Sequence, residues 1–188
     1  MIGKEIDRAV EILKKGGVIL YPTDTIWGIG CDATNPEAVR RIYEIKQRED
    51  TRSMLVLLSN ENQLLSYVSE VPGIAWELIE VSTQPMTIIY PGAKNLAPNL
   101  PAEDGSIGIR ITRETFSSGL LDKFRKALVS TSANKSGEPS PQNFSEISDY
   151  IKDSVDHVVD YRQDDFHKYK PSSIIKLGMG GEIKIIRK

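Results

Sequence analysis

The sequence is poor in the residues that cross-link a chain or bind metal ions. It contains one cysteine and two histidines in 188 residues. A single cysteine cannot form an intramolecular disulfide, and no Cys/His cluster has the spacing of a zinc site. Because Cys31 follows a glycine in an apolar context, we predict a buried, unreactive thiol in a protein of the reducing cytoplasm.

Long apolar runs and a strong net charge are also missing. No apolar stretch approaches the length of a membrane span, and residues 1–16 lack the hydrophobic core of a secretory signal. The 24 Lys and Arg residues nearly balance the 26 Asp and Glu residues, which leaves a net charge of −2. We therefore expect no membrane partner, and a nucleic-acid partner would need a local basic patch.

The remaining composition is that of an ordinary globular protein. Hydrophobic residues make up 39% of the chain and charged residues 27%, which is typical of a soluble protein with a packed core. A length of 188 residues favours a single domain that spans 1–188.

Small polar residues follow two predicted strands. The apolar run 126–129 is followed by three hydroxyl side chains and an amide, those of Ser130, Thr131, Ser132 and Asn134. The strand predicted at 18–21 is followed by Thr23, Asp24 and Thr25. Open α/β sheets bind ligands at such strand ends, and these groups suit phosphate, carboxylate or sugar oxygens. The alternative is a pair of hydrophilic turns in which the side chains cap backbone groups.

Three cations, Lys46, Arg48 and Arg52, lie within seven residues. If the chain is extended there, Lys46 and Arg48 project to the same side and suit a polyphosphate or a carboxylate. We then expect Lys46, like Asn134, to lie in a solvent-filled cleft. The alternative is a solvated helix C-terminus, where cations favour the helix dipole. Three polar clusters in one small domain indicate one shared site.

The apolar periodicity predicts helices interspersed with short strands. Helices are predicted at 4–15, 36–46, 64–68, 74–79, 116–128 and 145–152. Strands are predicted at 18–21, 54–58, 86–90, 105–112, 157–161, 173–177 and 183–187. The helix at 116–128 overlaps the strand predicted from 126, so that boundary stays open. Mixed strands and helices without a strict βαβ rhythm indicate an α+β or a mixed-sheet α/β fold.

Four segments in this order resemble the YrdC family: Pro22-Thr-Asp-Thr-Ile-Trp-Gly-Ile-Gly30, Lys46-x-Arg48, Ile109-Arg-Ile111 and Ser130-Thr-Ser-Ala-Asn134. The similarity runs from about Gly3 to Arg187. It implies a twisted mixed β-sheet with flanking helices around a central concave cleft. Characterised members include the bacterial TsaC-type L-threonylcarbamoyladenylate synthases.

The resemblance implies a nucleotidyltransferase. ATP, L-threonine and bicarbonate or CO2 would give threonylcarbamoyl-AMP and pyrophosphate, with Mg2+ accompanying the nucleotide. Downstream tRNA threonylcarbamoyl-transfer proteins would then modify the adenosine next to the anticodon. Such adenylyl transfer depends on positioning and on neutralising phosphate charge, so no nucleophile–base pair is needed.

Each family motif carries an implied role to residues of this chain. The residues implied in catalysis are Lys46, Arg48, Ser132 and Asn134. Those implied in binding ATP are Lys46, Arg48, Arg52, Asn134 and Arg187. Those implied in binding threonine are Thr23, Thr25, Arg110, Ser132 and Ser172. An ordinary charge near the end of the chain is the alternative for Arg187, and Asp24 could meet either the threonine ammonium or Mg2+. No residue is assigned as a metal ligand.

The chain departs from the family pattern in places. Ser82-Thr-Gln-Pro85 stands where many relatives have Trp-Pro-Gly-Pro, which puts the cleft wall there in doubt. Two alternatives have the same cleft without synthase activity. One is a paralogue of the YciO kind; the other is a module that binds double-stranded RNA or tRNA through a patch formed by Arg40, Arg41, Lys46, Arg48 and Arg52.

Overall fold

The computed structural model describes residues 2–47 and 54–188. Its helices are α1 Ile2–Lys14, α2 Pro36–Lys46, α3 Leu64–Tyr67, α4 Gly73–Val81, α5 Thr115–Phe124 and α6 Asp149–Ser154. Its strands are β1 Ile19–Tyr21, β2 Gly28–Gly30, β3 Leu55–Leu58, β4 Met86–Tyr90, β5 Ile107–Ile111, β6 Leu128–Ser132, β7 His157–Val158, β8 Ser173–Leu177 and β9 Ile183–Arg187. Short 3-10 helices lie at Glu61–Gln63 and Phe144–Glu146.

The strands form one mixed nine-stranded sheet in the order β7-β1-β2-β6-β3-β5-β4-β8-β9. The pairs β1–β7, β3–β5 and β4–β8 are parallel, and the other neighbouring strands are antiparallel. This arrangement confirms the predicted mixed sheet. The central position of β5 places Arg110 between strands on both sides.

Two apolar clusters cover the two faces of the sheet. One cluster includes Val56 and Leu58 of β3 together with buried residues of α2. The other includes Leu57 of β3, packed with residues of α1 and α5. Since successive residues of a strand point to opposite faces, β3 is covered on both sides, as its continuous apolar run predicts.

Helix α2 forms where its capping signals predict it. The Asn35 side chain accepts hydrogen bonds from the amides of Glu37 and Ala38, and Pro36 occupies the first turn, where no amide donor is required. The helix ends at Lys46, and Gln47 follows in the left-handed region with φ 51°. This confirms the helix predicted at 36–46, and the condition of an extended chain is not met at Lys46.

Strand β2 and the polar end of β6 were not predicted. Glycine has a weak strand preference, which hides β2 from a reading of the sequence. A Cβ atom on Gly30 would lie 2.6 Å from the Val129 carbonyl oxygen, so the glycine permits close packing of β2 on β6. Residues Ser130–Ser132 do not follow a strand; they lie within β6, and Ser132 pairs with Gly28.

Other boundaries differ by a few residues. Helix α5 ends at Phe124 because Arg125 adopts a left-handed conformation with φ 65°, so the overlap resolves in favour of the strand. Strand β7 covers only His157–Val158. The helix predicted at 145–152 is divided into a 3-10 turn and α6. None of the helices in the described ranges is long and apolar enough to cross a bilayer.

Candidate functional site

A cavity of about 300 Å3 lies where β4, β5 and β6 meet the ends of β8 and β9. We call it the small cavity. The polar side chains in its wall are those of Thr25, Thr87, Arg110, Ser130, Thr131, Ser132, Ser140, Ser172 and Arg187. It brings together the predicted threonine-binding residues Thr25, Arg110, Ser132 and Ser172, and it adds Arg187.

The charged side chains that line the small cavity, among the described residues, are both arginines. Arg110 and Arg187 line it, and no acidic side chain does so among the residues that the structure describes. Burial lowers the pKa of Arg187, and the like charge of Arg110 lowers it further. Two guanidiniums that line one cavity favour an anionic ligand, because a carboxylate or phosphate relieves their repulsion.

Arg110 has one acidic neighbour outside the cavity wall. Its Nη2 atom lies 3.0 Å from Asp24 Oδ1, although the two atoms lack the alignment of a hydrogen bond. Burial raises the pKa of the Asp24 carboxyl, and the charge of Arg110 opposes that rise. The Arg110 Nε atom is buried without a hydrogen-bond partner within the described residues. Arg110 therefore retains a donor for a ligand.

Hydroxyl groups line the floor beside Arg110. Ser172 precedes β8, and its Oγ atom lies 2.8 Å from Thr87 Oγ1 of β4. Arg187 Nε donates to the Ser172 carbonyl oxygen at 2.8 Å. These contacts hold the edge strand β9 against the loop before β8, and they place Arg187 over the floor of the cavity.

Thr23 is not brought into the small cavity. Its Oγ1 accepts from the Thr25 amide at 3.0 Å and donates to the Ile26 carbonyl at 2.8 Å. A further 3.0 Å contact joins the hydroxyls of Thr23 and Thr25. Thr23 thus shapes the turn that delivers Thr25 to the cavity wall.

Lys46 is buried, with 2% of its surface exposed. Its Nζ atom donates to the carbonyl oxygens of Ser132 at 2.6 Å and Asn134 at 2.7 Å. In return the Ser136 amide donates to the Lys46 carbonyl at 2.8 Å. The expectations of a solvent-filled cleft and of a solvated helix end are both wrong for Lys46, because these contacts draw its ammonium into the turn after β6.

Asn134 belongs to the same turn. Its Nδ2 atom donates to the carbonyl oxygens of Lys135 and Glu138 at 3.0 and 2.8 Å. Its Oδ1 atom is buried and has no partner in the described part of the chain. The amide group is therefore fixed in orientation with one acceptor unused. Arg48 and Arg52 lie outside the described residues.

Thr87 and Ser140 line the small cavity but were not among the predicted site residues. Thr87 had a detectable signal, since it is the one hydroxyl residue in the apolar segment Met86-Thr-Ile-Ile-Tyr90. Ser140 lies among serines and prolines, where nothing distinguishes a lining residue from a turn residue.

A second, larger cavity of about 530 Å3 lies on the other face of the same strands. Alternate residues of β4 and β5, such as Ile88 and Ile109, line it, whereas Thr87 and Arg110 line the small cavity. Ser82-Thr-Gln-Pro85 also lines this large cavity. The departure from the family's Trp-Pro-Gly-Pro therefore lies in the wall of the large cavity and not among the residues that line the small one.

The charged groups of the large cavity are matched. Two acids, Asp24 and Glu114, line it with two arginines, Arg113 and Arg162. Arg162 lies 3.6 Å from Glu114 and 3.2 Å from Asp165 in ion pairs, and its Nη1 donates to the Thr23 carbonyl. This cavity has no excess of one charge.

Comparison with known protein families decides the family. The Sua5/YciO/YrdC family model, described as "Telomere recombination", matches residues 11–188. The chain belongs to this family. Two relatives are named threonylcarbamoyl-AMP synthase. The one from Vibrio campbellii is 30% identical over 91% of this chain and 93% of its own length. The one from Pseudoalteromonas translucida is 34% identical over 82% and 84%.

Solved structures agree on the fold. E. coli YciO has a TM-score of 0.84 at 27% identity and covers 98% of this chain and 89% of its own. P. abyssi Sua5 complexed with L-threonine has a TM-score of 0.82 at 22% identity. That match covers 92% of this chain but only 50% of the Sua5 chain, so this chain spans about half the length of that protein.

Proposed function

We propose that this chain is a threonylcarbamoyl-AMP synthase, which makes threonylcarbamoyl-AMP and pyrophosphate from ATP, L-threonine and bicarbonate or CO2. The observation that carries the proposal is the small cavity, in which Arg110 and Arg187 meet hydroxyl side chains and, within the described ranges, no acid. Relatives named for this activity match most of the chain and most of their own lengths.

The small cavity suits the amino acid. Arg110 offers its unpartnered Nε atom to the threonine carboxylate, and a guanidinium can hold a carboxylate through two hydrogen bonds. Thr25, Ser132 and Ser172 supply short hydroxyls for the remaining polar groups. Thr23 contributes by fixing Thr25.

The nucleotide lies, in this proposal, beside the turn after β6. Lys46 fixes the backbone of Ser132 and Asn134, so a nucleotide meets a preformed surface. Arg187, Arg48 and Arg52 would meet its phosphates. Mg2+ would enter with ATP, whose phosphate oxygens are the ligands it prefers. The unused, buried Oδ1 of Asn134 is an acceptor that fits a water molecule of the hydrated ion.

The chemistry requires little covalent work from the protein. The neutral threonine amine adds to CO2: an N–C bond forms, one C–O π bond opens, and an N–H proton passes to solvent. One oxygen of the resulting carbamate attacks the α-phosphorus. A new P–O bond forms there as the bond to the β-phosphate oxygen breaks and pyrophosphate leaves. The fixed cations stabilise the charge that develops on the phosphate oxygens and on the leaving group.

The wider setting follows from the product. Threonylcarbamoyl-AMP would pass to downstream tRNA threonylcarbamoyl-transfer proteins, which modify the adenosine next to the anticodon. We place this activity in the cytoplasm, where tRNA is modified, and assign it to a single domain over residues 1–188.

The test is pyrophosphate release. The protein is incubated with ATP, L-threonine, bicarbonate and Mg2+, and release is compared with reactions that lack threonine or bicarbonate. We expect release that depends on both. No release, or release indifferent to threonine, would overturn the proposal and favour a YciO-type paralogue, whose fold is equally similar.

The described members of the predicted basic patch, Arg40, Arg41 and Lys46, do not favour an RNA-binding module. Arg40 forms ion pairs with Glu37 and Glu44 on its own helix. Arg41 pairs with Asp156. Two arginines expected in a basic patch are thus neutralised, and Lys46 is buried. Direct binding of tRNA or double-stranded RNA stays a prediction, and we do not propose it as the function.

A further inference from the structure

Thr87 lies at the centre of the small cavity's floor without an assigned role. Its partner across the β4–β5 pair is Arg110, and β8 lies on its other side, where Thr87 is in register with Ile174. Residues directly opposite each other on antiparallel strands share a face of the sheet. Thr87 therefore stands between Arg110 and Ser172, two residues of the threonine site.

The side chain of Thr87 is held in one orientation. Thr87 is 1% exposed. Its Cγ2 methyl occupies the space beside Gly108, where an added Cβ atom would lie 3.2 Å away. A β-branched side chain has few χ1 choices. With the methyl packed against β5, the Oγ1 atom faces Ser172.

The hydroxyl proton of Thr87 has one acceptor. The 2.8 Å contact with Ser172 Oγ is the hydrogen bond of this hydroxyl within the described residues. Either hydroxyl of the pair could be the donor. Donation by Thr87 gives its buried proton an acceptor in the protein, and Ser172 Oγ is then the acceptor of the pair.

Ser172 is then left as a donor. Its Oγ atom also faces Arg187 Nη2 at 3.4 Å, a group that can only donate. A hydroxyl oxygen accepts at most two hydrogen bonds, and these neighbours direct both toward it. In that arrangement the Ser172 proton points into the cavity, where it can meet an acceptor of the ligand.

We propose that Thr87 is a positioning residue that orients the Ser172 hydroxyl as a donor to a carboxylate or carbamate oxygen of the amino-acid substrate. This assignment rests on the proposed synthase function. It gives Ser172 a narrower role than general recognition of threonine, because a fixed donor selects an oxygen acceptor and disfavours the substrate ammonium at that point.

The test distinguishes the contribution of the Thr87 hydroxyl from that of the shape of its side chain. Thr87→Val keeps the branched side chain and removes the hydroxyl, whereas Thr87→Ser keeps the hydroxyl. The matched control is Thr112→Val. Thr112 is fully buried, and its Oγ1 atom also lies 2.8 Å from a serine hydroxyl, that of Ser117. In the part of the chain that the structure describes, Thr112 lines neither cavity.

Kinetics are measured as threonine-dependent pyrophosphate release at saturating ATP. We expect Thr87→Val to raise the KM for threonine about three- to ten-fold, the range for loss of one neutral hydrogen bond, with kcat within about two-fold. Thr87→Ser should restore the wild-type KM. Thr112→Val should lower the melting temperature without changing that KM.

A double variant tests the route through Ser172. In a Ser172→Ala background, Thr87→Val should add no further increase in KM, because the hydroxyl it orients is gone. An unchanged KM in Thr87→Val, an equal rise in Thr112→Val, or a full additional rise in the Ser172→Ala background would each overturn the assignment. Failure of the proposed function is distinct, since the wild-type protein would then show no threonine-dependent release.

Discussion

The two cavities share strands β4 and β5 but differ in how their charges are matched. The large cavity holds about 530 Å3 and combines two acids with two arginines. The small cavity holds about 300 Å3 and presents two arginines, without an acid among its described lining residues. We therefore expect an anion to bind in the small cavity more readily than in the large one.

The difference teaches that arginines in a cavity wall without an acid beside them in that wall identify an anion site better than volume does. This holds even though Arg110 has Asp24 as an ion-pair partner outside the wall of the small cavity. Placing like charges side by side is unfavourable, and the pKa of Arg187 is lowered first by partial desolvation and then by the charge of Arg110. Such an arrangement persists where a ligand supplies the opposite charge. In the large cavity the ion pairs of Arg162 already serve this purpose.

The largest expected effect is discrimination against valine, which is nearly isosteric with threonine. Serine and threonine hydroxyls line the small cavity together with Arg110 and Arg187, so a substrate hydroxyl has partners there. A site that hydrogen-bonds a substrate hydroxyl rejects an analogue without it by several orders of magnitude, about 10⁴-fold in the strongest cases. We expect threonine and serine to support pyrophosphate release and valine to support almost none. Comparable turnover at equal concentrations would show that the cavity reads shape alone.

Arg110→Ala should raise the KM for threonine about ten- to a hundred-fold, because a charge-assisted hydrogen bond to the carboxylate is lost. Arg113→Ala provides the matched control, since Arg113 is an exposed arginine in the wall of the large cavity. Its removal should leave that KM within about two-fold. An equal rise of the KM for threonine in the two variants would contradict the assignment of the threonine carboxylate to the small cavity.

Lys46→Ala should reduce both stability and activity, because the wall of the small cavity depends on a buried cation. Loss of its two charge-assisted bonds to the Ser132 and Asn134 carbonyls should lower the free energy of unfolding by about 3 kcal/mol. Lys123→Ala removes a cation from an ion pair with Asp7 in which both side chains are more than half exposed, and it should cost less than about 1 kcal/mol. Thermal melts of both variants measure the difference. A stable Lys46→Ala protein would contradict this account.

The smallest effect concerns Asp24, which lines the large cavity while its ion-pair partner lines the small one. Burial holds the pKa of its carboxyl above the ordinary value of 3.8. The unfolded chain therefore loses this proton at lower pH than the folded protein, and stability falls as the pH rises from about 4 through the raised pKa. In Asp24→Asn the free energy of unfolding should fall less steeply over this pH range. Denaturant unfolding at a series of pH values measures this dependence. Parallel profiles for the variant and the wild-type protein would contradict the raised pKa of Asp24.

Much of the fold follows from local signals in the sequence. The Asn35 cap with Pro36 predicts the start of α2, and the apolar run Met86–Tyr90 coincides with β4. β2 was missed because its glycines serve close packing against β6, a tertiary requirement that strand propensity does not register.

The sequence predicted which residues line the candidate site better than it predicted the contacts that those residues make. The motifs group Thr25, Arg110, Ser132 and Ser172, which the small cavity brings together. The burial of Lys46 was unpredictable, since it depends on carbonyl groups 86 and 88 residues away in sequence. That β4 and β5 line a different cavity on each face of the sheet was likewise unpredictable, because it depends on what packs against each face.

The edge strand β9 links ligand binding to local opening. All five of its residues are exposed, and in the sheet it pairs with β8. Edge strands of this kind open readily and exchange their amide hydrogens early. Yet Arg187 extends from β9 to Ser172 over the small cavity. An anion held by that guanidinium would tie down the last strand, so occupancy of the site becomes visible as slower hydrogen exchange at the margin of the sheet.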